Sequence, residues 1–170
     1  PVSAEQTVAA PAAALFALLA DPARHPEIDG GANVAAPVDP VPLTAAGETF
    51  RMDNATGVRV ECTVHRFERD RVIAWEPGRL GEAPSGQVWT WELEPLGQEA
   101  TRVRLTYDGT GIAPEDEKRL VRARAVTPER LAGSIRRLAG SIRRPAEDLR
   151  GAPVARTVSR VIGWVSSEAR

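Results

Sequence analysis

The sequence predicts an α+β domain in which seven antiparallel strands pack against one long helix near the C-terminal end. Three observations carry that expectation. Between residues 33 and 108 apolar residues recur at every second position, in segments bounded by Gly, Pro, Asn or Asp. The links between those segments are short, which favours antiparallel neighbours. From residue 127 the period becomes helical, with Leu131, Ile135, Leu138 and Ile142 spaced by four, three and four.

Taken in order, Glu5 to Ala10 reads as a short strand. Pro11 opens AAALFALLA, a short and strongly apolar helix ending near Ala20. Asp21 and Pro22 restart the chain as a second short helix, one as N-cap and the other at the first helical position, which stops at Gly30-Gly31. Strands are then expected over 33–38, 48–53, 58–67, 71–76, 87–94 and 101–108.

Thr127 to Arg144, TPERLAGSIRRLAGSIRR, is the long helix. Thr127 caps it, Pro128 fits its first position, and Glu129 meets the positive end of the dipole. The heptad LAGSIRR occurs twice in succession, too few repeats for a coiled coil. Burying the four stripe residues contributes roughly 6 to 12 kcal/mol as an upper bound, available only if the helix lies on another surface. Strand parity supplies one. Trp89, Trp91 and Leu93 share a face, as do Val103, Leu105 and Tyr107, then Val58, Val60, Cys62 and Val64, and Phe50 with Met52. Charged and hydroxyl residues alternate with all of them, so the sheet has one dry, aromatic face and one wet face.

Composition is that of an ordinary globular chain, 42% hydrophobic and 26% charged. The single cysteine, Cys62, precludes an internal disulfide or a multi-cysteine zinc site. The first residues show no basic segment followed by an apolar run, and no apolar run is long enough for a membrane span, so the expected location is cytoplasmic. Asn54-Ala55-Thr56 is read as a chance sequon. Net charge is −1 but unevenly spread: residues 118–170 carry thirteen basic and four acidic groups. Those arginines alternate with apolar residues, which favours a solvated helix face over a nucleic-acid surface.

The opening VAAPAAALFALLADPARHPEI, the segments VIAWEPG, VWTWELEPLG and TRVRLTYDG, and the closing TPERLAGSIRRLA together resemble the polyketide cyclase/dehydrase and lipid transport group of the SRPBCC or START-like superfamily. The resemblance spans about residues 6–144. It implies a helix-grip fold, with the seven-stranded sheet curled around the C-terminal helix and a cavity for an apolar small molecule between them. The residues that would line the cavity are Phe50, Met52, Val60, Cys62, Trp89, Trp91, Val103, Leu105, Tyr107, Leu131, Ile135 and Leu138. Two stretches depart from the pattern. Residues 112–126 form a longer link than usual, with room for a helix of its own. Residues 145–170 form an extension whose Val154, Val158, Val161 and Val165 suit another amphipathic helix, open to packing on the domain or to a protein or membrane-surface contact. The expected division is therefore a ligand-binding domain over 1–144 and an extension over 145–170.

Few residues suit chemistry. His65 faces outward by parity, while His25 sits in the second short helix near the expected cavity mouth. Tyr107 is the sole tyrosine and falls on the dry face, where packing and ligand orientation are both open. Cys62 has no evident basic neighbour to activate it. Asp21, Glu27 and Asp29 are accounted for by a helix cap and a turn. No metal-ligand cluster, phosphate-cradling loop or G-x-S-x-G elbow is present, so no cofactor is expected. Three functions stay open: a binder of an apolar aromatic, polyketide or lipid-like molecule; a cyclase or dehydratase using Tyr107 or His25 in the same cavity; and an interaction module using the basic C-terminal half. The aromatic dry face favours the first two, and its scarcity of polar groups favours binding over chemistry.

Overall fold

The computed structural model describes residues 1–142. The strands are β1 (Val2–Val8), β2 (Val34–Val38), β3 (Thr49–Asn54), β4 (Arg59–Glu68), β5 (Val72–Arg79), β6 (Val88–Pro95) and β7 (Thr101–Asp108). They form one antiparallel sheet in the order β1-β7-β6-β5-β4-β3-β2. Consecutive strands from β2 to β7 are neighbours, as short links require, and β1 closes the far edge against β7. The helices are α1 (Ala12–Leu19), α2 (His25–Ile28), α3 (Glu117–Arg124) and α4 (Pro128–Ser141), with a 3₁₀ turn at Pro22–Arg24. Since β1 and β2 lie at opposite edges, the chain between them carries α1 and α2 across the dry face. The fold is α+β, a seven-stranded antiparallel sheet with helices on one face.

The caps act as the side chains predict. Asp21 accepts from Ala23 N–H at 3.0 Å and Thr127 from Arg130 N–H at 3.4 Å. The long link after β7 does contain a helix: Asp116 caps α3 by accepting from Arg119 N–H at 3.0 Å. Leu131, Ile135 and Leu138 of α4 are fully buried, and Ile142 packs partly on the same core. The helix rests on β1 and β7 and against α1 and α2. Ser134 completes that contact by accepting from Gly30 N–H at 3.0 Å.

Four details differ from the sequence expectation. The first strand begins at Val2 rather than Glu5, because β7 offers a full-length partner running from Val2 opposite Tyr107 to Val8 opposite Thr101. The fifth runs on to Arg79 through Pro77, because pairing with β6 ends at Trp75 and the missing Pro77 N–H forfeits no ladder bond on that side. Val58 is half-exposed rather than on the dry face, since it lies in the turn before β4. In β4 a bulge sets Val64 opposite Trp75 but Arg66 opposite Ala74, leaving His65 as the extra residue. The bulge inverts the alternation beyond it and brings Phe67 inward, edge-on to Phe16 of α1 at 5.2 Å. The expected amphipathic helix of the extension, and the end of the long helix at Arg144, lie outside the described residues.

Candidate functional site

The twelve residues expected to line a cavity converge on one apolar cluster between the sheet and α4. Phe50, Met52, Cys62, Trp91, Val103, Leu105, Tyr107, Leu131, Ile135 and Leu138 are buried members, and Val60 and Trp89 pack against them half-buried. Cross-strand pairing explains the convergence, because residues opposite one another on antiparallel strands share a face. Trp75 stands opposite Trp89 and Trp89 opposite Tyr107, which makes an aromatic row across β5, β6 and β7. Trp89 and Tyr107 lie 4.6 Å apart between ring centroids. The next row inward is Ile73, Trp91, Leu105 and Ala4.

Burial is graded along the strands. At the α1 end Leu15, Leu19, Val64, Ile73, Leu93 and Val103 are sealed. At the opposite end Val2, Val34, Val60, Trp75 and Trp89, all packed on the core, keep part of their surface exposed. That end carries the link from β7 through α3, whose Ala123 and the following Val126 are half-buried against the core.

Trp75 and Gln87 were not among the expected site residues. Parity points to both, since Trp75 shares a face with Ile73 and Gln87 with Trp89. Trp75 stacks on His25 at 4.9 Å and meets Phe50 edge-on at 5.6 Å. Gln87 Oε1 accepts from the Tyr107 hydroxyl at 2.9 Å.

His25 is 5% exposed, and its Nε2 lies 2.8 Å from the Leu19 carbonyl oxygen, which can only accept; Nε2 is therefore the protonated nitrogen. Burial pushes the imidazole pKa from the ordinary 6.5 down to about 4. The unfolded chain therefore takes up a proton between pH 6.5 and about 4 that the folded chain refuses. Stability is full above that window and falls as pH drops through it, by about 3 kcal/mol at its lower end. Melting temperatures from pH 7 to pH 4 should show the fall. It should be shallower in His25→Phe, which keeps an aromatic ring but has no proton to bind; superimposable pH profiles would contradict this account.

Burial also pushes the Cys62 thiol up to about 12, with Glu61 adding to the effect, so it is no nucleophile at neutral pH. Burial raises the Tyr107 pKa above its usual value and keeps the phenol protonated. His65 lies on the wet face beside Glu76 at 3.3 Å. That face carries exposed pairs such as Arg104–Glu5 (2.8 Å) and Arg102–Glu94 (2.7 Å), around a shallow concavity of about 460 Å³. Exposed pairs of this kind contribute little stability. Among the described residues no group of three or more His, Cys, Asp or Glu is placed to hold a metal, and no helix is long and apolar enough to cross a membrane.

Comparison with known proteins agrees with this architecture. Two uncharacterized proteins of Mycobacterium tuberculosis are each 38% identical over 109 residues, 63% of this chain and 46% of their own length, so the chain spans about half the length of the curated relatives it matches. The Zhui aromatase/cyclase of Streptomyces sp. R1128 superposes with a TM-score of 0.56 at 18% identity, covering 83% of this chain and 92% of its own. Norcoclaurine synthase of Thalictrum flavum gives a TM-score of 0.54 at 14% identity, covering 83% and 84%. A protein of Arthrobacter aurescens gives 0.60 at 19% identity, covering 85% and 86%. At such identities these structures share the fold, a helix-grip. The family model for polyketide cyclase/dehydrase and lipid transport matches residues 1–147, and the chain belongs to that family.

Proposed function

We propose that the chain binds an apolar, ring-containing small molecule, aromatic, polyketide or lipid-like, between the aromatic face of the sheet and α4. The graded burial of that face carries the reading. Trp75, Trp89 and Val60 are partly bare on the central strands, whereas Val64, Ile73, Trp91, Leu93 and Val103 further along the same face are buried and Phe67, against Phe16, keeps some exposure there. A guest entering under α3 would cover Trp75, Trp89 and Val60. Burying about 300 Å² of apolar surface yields about 7.5 kcal/mol before the costs of association, so the expected affinity is weaker than micromolar. The norcoclaurine synthase structure holds dopamine and hydroxybenzaldehyde, both ring compounds.

Binding is favoured over turnover by the state of the titratable groups. The His25 imidazole is buried, neutral and tied to Leu19, the Cys62 thiol stays protonated, and Tyr107 is a neutral phenol. None is poised to move a proton near pH 7. Titration with polycyclic aromatics, sterols and fatty acids should quench or shift tryptophan emission saturably. Trp89→Ala should weaken binding, whereas Arg59→Ala, on the wet face and paired with Asp53 at 2.7 Å, should not. A folded protein that gives no saturable response to any member of the panel would overturn the proposal.

A further inference from the structure

Three polar side chains interrupt the apolar row at its partly exposed end, and their hydrogen bonds run in one direction. The Tyr107 hydroxyl donates to Gln87 Oε1 at 2.9 Å. Gln87 Nε2 donates to Ser85 Oγ at 3.2 Å, and Ser85 Oγ donates to the Pro77 carbonyl oxygen at 2.5 Å. The direction is fixed at its last member. A carbonyl oxygen accepts and never donates, so the Ser85 proton is committed to Pro77 and Ser85 Oγ must accept from Gln87. That turns the Gln87 amide nitrogen towards Ser85 and its oxygen towards Tyr107. Reversing the amide would set its oxygen against Ser85 Oγ, whose single proton cannot serve both that oxygen and the Pro77 carbonyl. The Tyr107 proton is thereby spent on Gln87, and the lone pairs on its oxygen are what it has left to offer. Among the described residues no donor is directed at that oxygen.

We propose that Tyr107 acts in this site as a hydrogen-bond acceptor only, selecting guests whose ring carries a donor, a phenol or other hydroxyl, over guests that present a carbonyl or ether oxygen at the same place. The inference rests on the proposed binding reading and deepens it from an apolar guest to a hydroxylated one. Two features hold the relay in register. Gln87 lies diagonally across the β6–β7 ladder from Tyr107, on the same face as Trp89. Ser85 is tied to Pro77 a second time through its backbone N–H at 3.0 Å. A hydroxyl meeting Tyr107 gains a hydrogen bond. A carbonyl meeting it sets two acceptors together and leaves both unpaired, the costlier situation.

The test uses the full chain and three probes of one ring system: 2-naphthol, 2-methoxynaphthalene and 2-acetonaphthone, titrated by tryptophan fluorescence. 2-Naphthol should bind about fivefold more tightly than the ether, and more tightly still than the ketone, the size expected for one neutral hydrogen bond. Tyr107→Phe keeps the ring and should abolish the naphthol advantage while leaving the ether within twofold of its original affinity. Ser85→Ala frees the Gln87 amide to turn and donate to Tyr107, so the ketone should gain on naphthol. A ketone bound as tightly as naphthol by the unaltered protein, or a naphthol preference that survives Tyr107→Phe, would overturn the polarity while the binding reading stands. Failure of all three probes to bind a cooperatively folded protein would overturn both.

Discussion

Leu138→Asp should leave the full-length chain largely unfolded at 25 °C. Leu138 is fully buried on α4 beside Leu131 and Ile135, so the new carboxylate would be held against the dry face. Removing a buried leucine costs about 2 to 5 kcal/mol, and an uncompensated buried polar or charged group adds several more. The sum rivals the total stability of a domain, about 5 to 15 kcal/mol. Arg137, next in sequence, is exposed, and Arg137→Asp should cost under about 1 kcal/mol, mostly from a negative charge near the negative end of the helix. Circular dichroism melts of the two variants check this. Equal melting temperatures would mean that α4 does not grip the sheet through that face.

Gly86→Ala should be nearly as damaging, although it adds a single carbon. Gly86 has φ +78, a conformation side chains resist, and a Cβ there would stand 1.9 Å from the Gly111 carbonyl oxygen. The β5–β6 loop thus presses backbone to backbone on the segment that leads into α3, and neither side can yield by rotating a side chain. Strain and clash together should cost about 3 kcal/mol or more, with loss of the Ser85–Gln87–Tyr107 alignment. Gly57 is the matched control, with the same φ of +78 and nothing within 4 Å of its added Cβ. Gly57→Ala should cost about 1 kcal/mol, the strain alone. Similar chemical-denaturation midpoints for the two variants would contradict the close approach.

Those two sites differ in how far the sequence announces them. The Leu131, Ile135 and Leu138 stripe is legible because helical periodicity is a local property, and the faces of β3, β6 and β7 are legible because period-two alternation is too. The β4 bulge is not. One extra residue at His65 inverts every later assignment, and what rewards it, Phe67 meeting Phe16, lies outside the strand. The same holds for His25. Nothing in its own helix foretells that Trp75 and Phe50 will enclose it, so its burial and depressed pKa emerge only when α2 is laid on the sheet. The relay lies between these cases. Parity places Gln87 on the face of Trp89, yet its bond to Tyr107 crosses twenty residues of chain, and its direction depends on the Pro77 carbonyl. The Gly86 contact had no local signal beyond the glycine itself.

Methyl-resolved NMR during titration with 2-naphthol reads out whether a guest sits between the aromatic face and α4. Leu105 and Ile135 report on the interior, and Val72 reports on the wet-face concavity it lines with Arg71 and Glu92. Saturable shifts are expected at Leu105 and Ile135, sharing one dissociation constant with the fluorescence change, while Val72 stays unmoved. Shifts confined to Val72 and its wet-face neighbours, with Leu105 and Ile135 unchanged at saturation, would contradict that placement of the guest.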